Sequence, residues 1–235
     1  KTAVFRYITD ATALSNAMLS GQIDIMSTVQ APELLGVFKA KKNLTVYSGS
    51  TNCEVTLGMN NARAPFNNKL VRQAVRQAIN KKNLIKTAWS GYGLEIGSFV
   101  PPTDPWYEDL STLYPYDVNK SKALLKSAGY ANGLTINLDL PPIAYATNSG
   151  EFIAASLAKV GIKVNLKPIA WGEWIDRVFT KKDYDMTIVA HAEPMDIDIY
   201  ARDPYYFGYK NPAFNEILKK VEATSDAAEQ EKLYG

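Results

Sequence analysis

Residues 65–81, PFNNKLVRQAVRQAINK, carry the clearest helical pattern in the chain. Apolar residues recur there at steps of three and four, and the same spacing continues as far as Trp89. This spacing is typical of a helix with one apolar face. Asn67 or Asn68 can cap its start by accepting a hydrogen bond from a backbone N–H that the first turn leaves without a partner. The sequence therefore predicts one helix over residues 69–89.

Short strand-like and helix-like stretches alternate on both sides of this helix. The predicted strands cover residues 4–8, 23–26, 44–47, 54–59, 134–140, 162–166 and 185–190. The other predicted helices begin after Asp10, at Pro32 and at Asp117, and cover residues 150–160, 173–179 and 215–221. Helices that alternate with short strands indicate an α/β protein with crossover connections between its strands.

The composition is that of an ordinary soluble globular protein. The 235 residues are 46% hydrophobic and 21% charged, with a formal net charge of +2, and this length corresponds to one or two domains. Because the basic residues are spread along the chain, the sequence predicts neither a nucleic-acid partner nor an anionic membrane surface. No apolar run approaches the ~18–20 residues of a membrane span. The single cysteine, Cys53, excludes an intrachain disulfide, and the single histidine, His191, excludes a His-rich metal site.

An acidic cluster with one histidine directly follows the last predicted strand. Its members are His191, Glu193, Asp196, Asp198 and Asp203. Such residues can form an acid–base pair for catalysis, a site for a hard cation, or a solvated loop. Their position is informative, because open α/β sheets bind ligands at the carboxyl ends of their strands.

Aromatic residues come next along the chain. They are Tyr200, Tyr205, Tyr206, Phe207 and Tyr209. Aromatic rings beside carboxylates suit an organic ligand that bears a cation, such as a peptide amine. The alternative is that these rings pack against the body of the domain. Upstream of them, we predict Trp174 in the core and Trp171 as a stacking wall.

A further pattern points to a different chemistry. Ser156 and Lys159 match the Ser-x-x-Lys arrangement, in which a lysine activates a serine nucleophile one helical turn away. No Lys-Thr-Gly or Ser-Asp-Asn partner motif occurs in the chain. A chance match on an amphipathic helix is therefore favoured.

Residues 64–74, APFNNKLVRQA, resemble a family signature, Pro-Phe-x-(Asp/Asn)-x-x-Val-Arg-x-Ala. It is the signature of the family 5 extracellular solute-binding proteins, the peptide- and nickel-type receptors of ABC importers. The match continues into residues 78–81, AINK, which are similar to the family's Ala-Ile-Asp-(Lys/Arg). Further segments agree in the same order, at residues 19–24, 116–125, 128–130, 157–164, 183–186 and 211–212. This order over almost the whole chain makes the resemblance specific.

The resemblance implies an α/β, periplasmic-binding-protein-like lobe of type II, peptide-binding class, with a mixed sheet flanked by helices. Family members are two-lobed receptors that close around a ligand, and their mature chains are longer than this one. We therefore expect a truncated two-lobed architecture. In it, residues 1–54 form a partial first-lobe segment and the entry to the hinge. Residues 55–235 form the second ligand-binding lobe, without the C-terminal return to the first lobe.

The resemblance also implies where a ligand binds. In peptide-binding members, an acidic residue after the late strand pairs with the α-amino group of the ligand, often within Asp-x-x-Asp-Pro. Residues 191–197, HAEPMDI, occupy that position here. Glu193 replaces the first aspartate, Ile197 replaces the usual proline, and His191 lies near the usual tryptophan. The longer acid reaches further into the cleft, which suits a ligand of different length or chemistry.

From this correspondence we expect Glu193 to hold a ligand cation and Asp196 to lie near the site or to orient its loop. The other expected ligand-binding residues are wall residues. They are His191, Trp171 and Tyr200, with Tyr145 and Asn148 as further candidates in the loop after the strand at 134–140.

The function that the resemblance implies is a non-catalytic receptor, with no cofactor and no metal site. We expect it to capture a peptide or peptide-like cationic compound and to deliver it to the permease subunits of an ABC importer. Sugars, opines and a chelated metal stay open as ligands. The expected location is periplasmic or extracellular, peripheral to the membrane at most, through the transporter or a lipid anchor in the full-length protein. The alternatives are a hydrolase that uses Glu193 and Asp196 or Ser156, and a regulatory or chaperone-like protein built on the same fold.

Overall fold

The structure, a computed structural model, describes residues 2–29, 31–193 and 196–235. Its strands are β1 (Glu54–Met59), β2 (Leu134–Leu140), β3 (Ile162–Pro168) and β4 (Met186–His191). Its helices are α1 (Ala11–Leu19), α2 (Leu35–Lys39), α3 (Lys69–Ala78), α4 (Lys81–Ala88), α5 (Val118–Ser127), α6 (Ala144–Ala158), α7 (Trp171–Glu173), α8 (Pro212–Ala223) and α9 (Ala227–Tyr234). Short 3₁₀ helices cover Pro32–Leu34 and Asp196–Tyr200, and α7 continues as a π-helix over Trp174–Thr180.

The four strands form one mixed sheet in the order β1-β4-β2-β3. β2 is parallel to both β3 and β4, whereas β1 is antiparallel to β4. The carboxyl ends of β2, β3 and β4 therefore meet at one edge of the sheet. β1 begins at that same edge, because Glu54 is the register partner of His191.

One face of the sheet packs against helices and forms the first core. The side chains of β2 and β4 that point to this face alternate along each strand, as the pleat requires. They meet apolar residues of α3, α5 and α6. The buried members include Ile136, Leu138, Leu140, Met186 and Ile188 from the sheet, and Val71, Val75, Leu125, Ile153 and Leu157 from the helices.

The opposite face of the sheet forms the second core, which is largely aromatic. It is covered by the π-helix and by the segment that follows β4. Its buried members are Ile169, Trp174, Val178, Tyr184, Val189, Ile199, Tyr206 and Phe207. Burial of Trp174 confirms its predicted place in the core.

The predicted helix over residues 69–89 is two helices. Asn68 caps α3, as predicted, because its side chain accepts a hydrogen bond from the Leu70 N–H at 2.9 Å. The chain leaves the helix at Ile79, with φ −106° and ψ 115°. Asn80 then caps α4 by accepting from the Asn83 N–H at 3.0 Å. The apolar spacing runs through this break, so periodicity alone did not reveal it.

The predicted strands at residues 4–8, 23–26 and 44–47 are wrong. No sheet partner lies beside these segments in the described part of the chain, where the paired strands are β1 to β4. Several of their apolar side chains are 81–95% exposed, namely Val4, Phe5, Tyr7, Ile25 and Tyr47. A strand needs a neighbour for its backbone hydrogen bonds, and an apolar pattern does not supply one.

A buried ion pair and a hydrogen-bond chain hold the π-helix on the sheet. Arg177 donates from Nη2 to Oδ1 of Asp139 at 2.6 Å, and Asp139 is fully buried. Beside them, Trp174 donates from Nε1 to Thr187 Oγ1, which donates to the backbone oxygen of Asp139, both at 2.9 Å. Burial raises the pKa of Asp139, and the bond from Arg177 opposes this shift. Arg177 therefore favours the charged form of this buried carboxylate.

None of the helices within the described residues has both the length and the apolar character needed to cross a membrane.

We expect Arg177→Met to lower the free energy of unfolding by about 3 kcal/mol at pH 7, because it leaves the Asp139 carboxylate buried without its counter-ion. The folded state then binds a proton more readily than the unfolded state. The loss of unfolding free energy should therefore become smaller as the pH falls through the raised pKa of Asp139. It should stop decreasing near pH 3.8, the ordinary pKa of an aspartate.

The matched control is the double variant Arg177→Met/Asp139→Asn, which has no carboxyl group to titrate. Urea unfolding of both proteins between pH 7 and pH 4 measures the difference in their free energies of unfolding. A difference that stays constant over this range would contradict the assigned role of Asp139.

Candidate functional site

The carboxyl end of β4 directs its last side chain into the second core. His191 is buried, its Nε2 lies 2.8 Å from the Tyr206 hydroxyl, and its ring meets that of Phe99 edge to face at 5.4 Å. Burial lowers the pKa of His191, so the neutral imidazole is favoured. His191 thus packs behind the edge of the sheet, and its role as a wall residue stays a prediction.

Glu193, two residues further on, forms an ion pair that the sequence did not predict. Its Oε2 accepts from Nη2 of Arg202 at 2.7 Å. The same Arg202 is bonded to Asp198, from Nη2 to Oδ1 at 2.8 Å and from Nε to Oδ2 at 3.3 Å. The bond from Arg202 lowers the pKa of Glu193, which keeps this carboxylate ionised.

The acidic cluster is divided between two basic residues. Arg202 forms ion pairs with Glu193 and Asp198, whereas Asp203 pairs with Lys210 at 3.2 Å. The predicted role of Asp196 falls on a side chain that the structure does not describe, and it stays a prediction. Within the described part of the chain, no group of three His, Cys, Asp or Glu side chains is placed to hold a metal ion.

The aromatic residues after β4 divide into buried and partly exposed rings. Tyr206 and Phe207 are buried in the second core. Tyr200 is half-buried and meets the rings of Phe99, Phe207, Tyr209 and Phe214 at 5.3–6.0 Å. Trp171 remains 40% exposed and meets Trp174 edge to face at 5.7 Å. Its exposed indole leaves a stacking surface next to the carboxyl end of β3.

Tyr145 and Asn148 lie in the first turns of α6, which corrects their predicted place in a loop. The helix begins six residues before the expected Gly150. Thr, Asn, Ser and Gly at residues 147–150 have low helix propensity, but packing overrides it. A Cβ at Gly150 would lie 2.8 Å from Leu140 Cδ1, so this glycine lets α6 approach the sheet.

Both side chains make contacts within the protein. The Tyr145 hydroxyl accepts a hydrogen bond from the Ala190 N–H at 3.1 Å, and burial raises the pKa of this phenol. Asn148 donates from Nδ2 to the Ala88 carbonyl at 3.4 Å. Their predicted contact with a ligand remains a prediction.

A cavity of about 810 Å³ was not predicted from the sequence. It lies between β1, the α3–α4 pair and the segment around residues 91–102. Its walls are mainly apolar, with four charged residues among them. These are Glu54, Arg76, Lys81 and Glu95. Tyr200 is shared between this cavity and the aromatic group after β4. The sequence carries a signal here, because the long Pro-rich segment that follows Phe99 predicts a loop that is functional or packs as a lid.

The serine motif lies in an inaccessible place. Ser156 is 5% exposed on α6, where it is surrounded by the first core. A substrate cannot reach this hydroxyl in the described conformation. The groups exposed at the carboxyl edge of the sheet are instead a carboxylate, a guanidinium and an indole. Such groups can bind an ionic organic solute through charge-assisted hydrogen bonds and stacking.

The family model for bacterial extracellular solute-binding proteins, family 5 middle, matches residues 1–213. Among curated proteins, Heme-binding protein A of Haemophilus influenzae is 37% identical over 136 residues, which cover 56% of this chain and 24% of that protein. Di/tripeptide-binding protein 1 of Pseudomonas aeruginosa is 27% identical over 245 residues, which cover 98% of this chain and 45% of that protein.

A solved structure is similar as well. It is the ABC transporter-associated periplasmic binding protein DppA from Helicobacter pylori in complex with the peptide STSA. The two superimpose with a TM-score of 0.89 at 29% sequence identity, over 97% of this chain and 47% of that one. The chain thus spans less than half the length of each of these three proteins.

We expect Tyr145→Phe to lower the free energy of unfolding by about 1–3 kcal/mol, because the Ala190 N–H loses its acceptor in a half-buried place. Thermal and urea unfolding measure the change. The control is Tyr47→Phe, the same chemical change at a side chain that is 90% exposed. Equal effects at both tyrosines would show that the Tyr145 hydroxyl has no structural role.

Proposed function

This chain belongs to the bacterial extracellular solute-binding proteins of family 5, and from this we propose that it is part of an ABC importer's receptor. The receptor captures a solute between two lobes and delivers it to the permease. The proposed solute is a peptide or peptide-like cationic compound. The observation that carries this choice is the exposed Glu193 carboxylate at the carboxyl edge of a sheet whose fold matches a binding protein solved with a peptide.

The fold class agrees with the expectation. The mixed sheet flanked by helices matches periplasmic binding proteins of the type II, peptide-binding class. The matched region covers about half of the length of those proteins. The family and the relatives are binding proteins.

We propose that residues 55–235 form the second ligand-binding lobe, and that residues 1–54 belong to the first lobe and the hinge entry. Two observations support this division. Both cores, and all of the sheet except Glu54 at the start of β1, are built from residues of the later segment. In the earlier segment, Val4, Phe5, Tyr7 and Tyr47 expose most of their side chains. The relatives are more than twice as long as this chain, so the rest of the receptor supplies the other wall of the site.

The proposed mechanism is closure of the two lobes around the ligand. A ligand that contacts both lobes binds the closed form more tightly than the open form, and so it shifts the population to the closed form. Glu193 holds the ligand cation and Trp171 supplies a stacking surface. Closure also removes water, which strengthens the attraction between the ligand cation and Glu193. The permease then recognises the closed lobes. We place this receptor in the periplasm or outside the cell, held near the membrane by the transporter or by a lipid anchor.

We also propose that this receptor has no catalytic activity. Ser156 is buried, which does not support a serine nucleophile. Glu193 is paired with Arg202, and its lowered pKa makes it a poor general acid near neutral pH. These observations favour binding over hydrolysis.

We expect Glu193→Gln in the full-length receptor to raise the Kd for trialanine about 30-fold or more, because the ligand's ammonium group loses its counter-ion in a closed site. Titration calorimetry measures the Kd. The control is Glu216→Gln, since Glu216 is also an exposed glutamate in an ion pair, with Lys219 at 2.8 Å.

Chromatography of the same samples shows whether trialanine is recovered intact. Hydrolysis that Glu193→Gln abolishes would contradict the receptor function. An unchanged Kd in Glu193→Gln would overturn the assignment of Glu193 and leave the family membership in place.

A further inference from the structure

We propose that Arg202 recognises the ligand together with Glu193. In this two-point site, Glu193 binds the ammonium group of the ligand, and Arg202 donates a hydrogen bond to an oxygen next to it. The chemical class that fits is an α-amino acid or a peptide, whose ammonium group is adjacent to a carboxylate or carbonyl oxygen. The inference rests on the proposed function.

The geometry of the ion pair leaves one group available on each side chain. The described contacts of Arg202 use Nη2 and Nε, and the described contact of Glu193 uses Oε2. Within the described residues, neither Arg202 Nη1 nor Glu193 Oε1 makes a hydrogen bond. Both side chains reach solvent, since that of Arg202 is 38% exposed and that of Glu193 is 53% exposed. A donor and an acceptor are thus offered side by side.

The guanidinium group is fixed in place before a ligand arrives. Asp198 holds it through both Nε and Nη2, four residues away along the chain. The group also lies over the ring of Tyr205, 5.6 Å from its centre. Because guanidinium is planar, holding Nε and Nη2 also fixes the direction of Nη1. A donor fixed in this way loses little conformational entropy when it binds.

Charge balance favours a ligand with both kinds of group. Arg202 cancels one of the two negative charges of Glu193 and Asp198, so a lone cation is attracted less strongly than by two unpaired acids. A ligand with an ammonium group and a neighbouring oxygen complements both partners, and each contact is a charge-assisted hydrogen bond. In a peptide, the first carbonyl oxygen is in that neighbouring position.

The test compares two probes on the full-length receptor by titration calorimetry. One probe is trialanine, and the other is its trans-alkene isostere, which lacks only the first peptide group and keeps both termini. We expect the unmodified receptor to bind trialanine about tenfold or more tightly than the isostere, as for the loss of one hydrogen bond to a charged group. In Arg202→Met and Arg202→Lys, this ratio should fall to about one to three.

The ratio separates recognition from a structural role. If Arg202 only positions Glu193, the Arg202 variants bind both probes more weakly by the same factor. The ratio of the two Kd values then stays the same, which would overturn the proposal. Arg202→Lys keeps the charge and serves if Arg202→Met does not fold. The control is Arg63→Lys, at an exposed arginine that pairs with Asp183 at 2.9 Å.

The remaining outcomes distinguish this inference from the proposed function. If Glu193→Gln loses binding while the Arg202 variants keep the ratio, the two-point site is wrong and the receptor function stands. If neither probe binds the unmodified receptor, the peptide-like ligand and the two-point site are both wrong.

Discussion

Strand β4 is the element on which the rest of this structure depends, because its alternating side chains belong to two separate cores. Met186 and Ile188 enter the first core, whereas Val189 enters the second. β4 also joins β1 on one side to β2 on the other. A shift of register by one residue would exchange the two sets of side chains and bury the wrong set on each face. The same register determines where the chain leaves the sheet, and so where Glu193 and Arg202 can meet.

The sequence predicted correctly those strands whose apolar pattern is matched by a pairing partner in the sheet. The bounds of β1 and β2 match the predicted ranges, since both are apolar stretches between turn residues and both are paired in the sheet. The three earlier strand predictions failed, because pairing depends on a partner that the local sequence does not reveal. The break at Asn80 and the early start of α6 were missed for a related reason. Capping and close packing at Gly150 override the local periodicity and propensity.

The surroundings of Glu193 were predicted in part, whereas its contact with a ligand stays a prediction. The position of Glu193 after the last strand followed from the resemblance, but its partner Arg202 did not. The signal was present, because Asp198 and Arg202 have a four-residue spacing that brings opposite charges together on a helical turn. What no local pattern shows is that the guanidinium also reaches back to Glu193, nine residues before it. One fold can host many ligands, as the names of a haem-binding and a di/tripeptide-binding relative illustrate.

The chain enters the sheet beside the proposed binding site. Asn52, just before β1, donates from Nδ2 to the backbone oxygen of Ala192 at 3.3 Å, next to Glu193. In the proposed two-lobed receptor, this entry point is a fulcrum close to the proposed ligand. A rotation about this point moves Glu193 only a short distance. The opposite edge of the sheet, near Leu134, moves much further. The ligand's counter-ion can then stay almost still while the far side of the lobe sweeps a large distance. A partner that docks on that far side would sense the rotation as an amplified displacement.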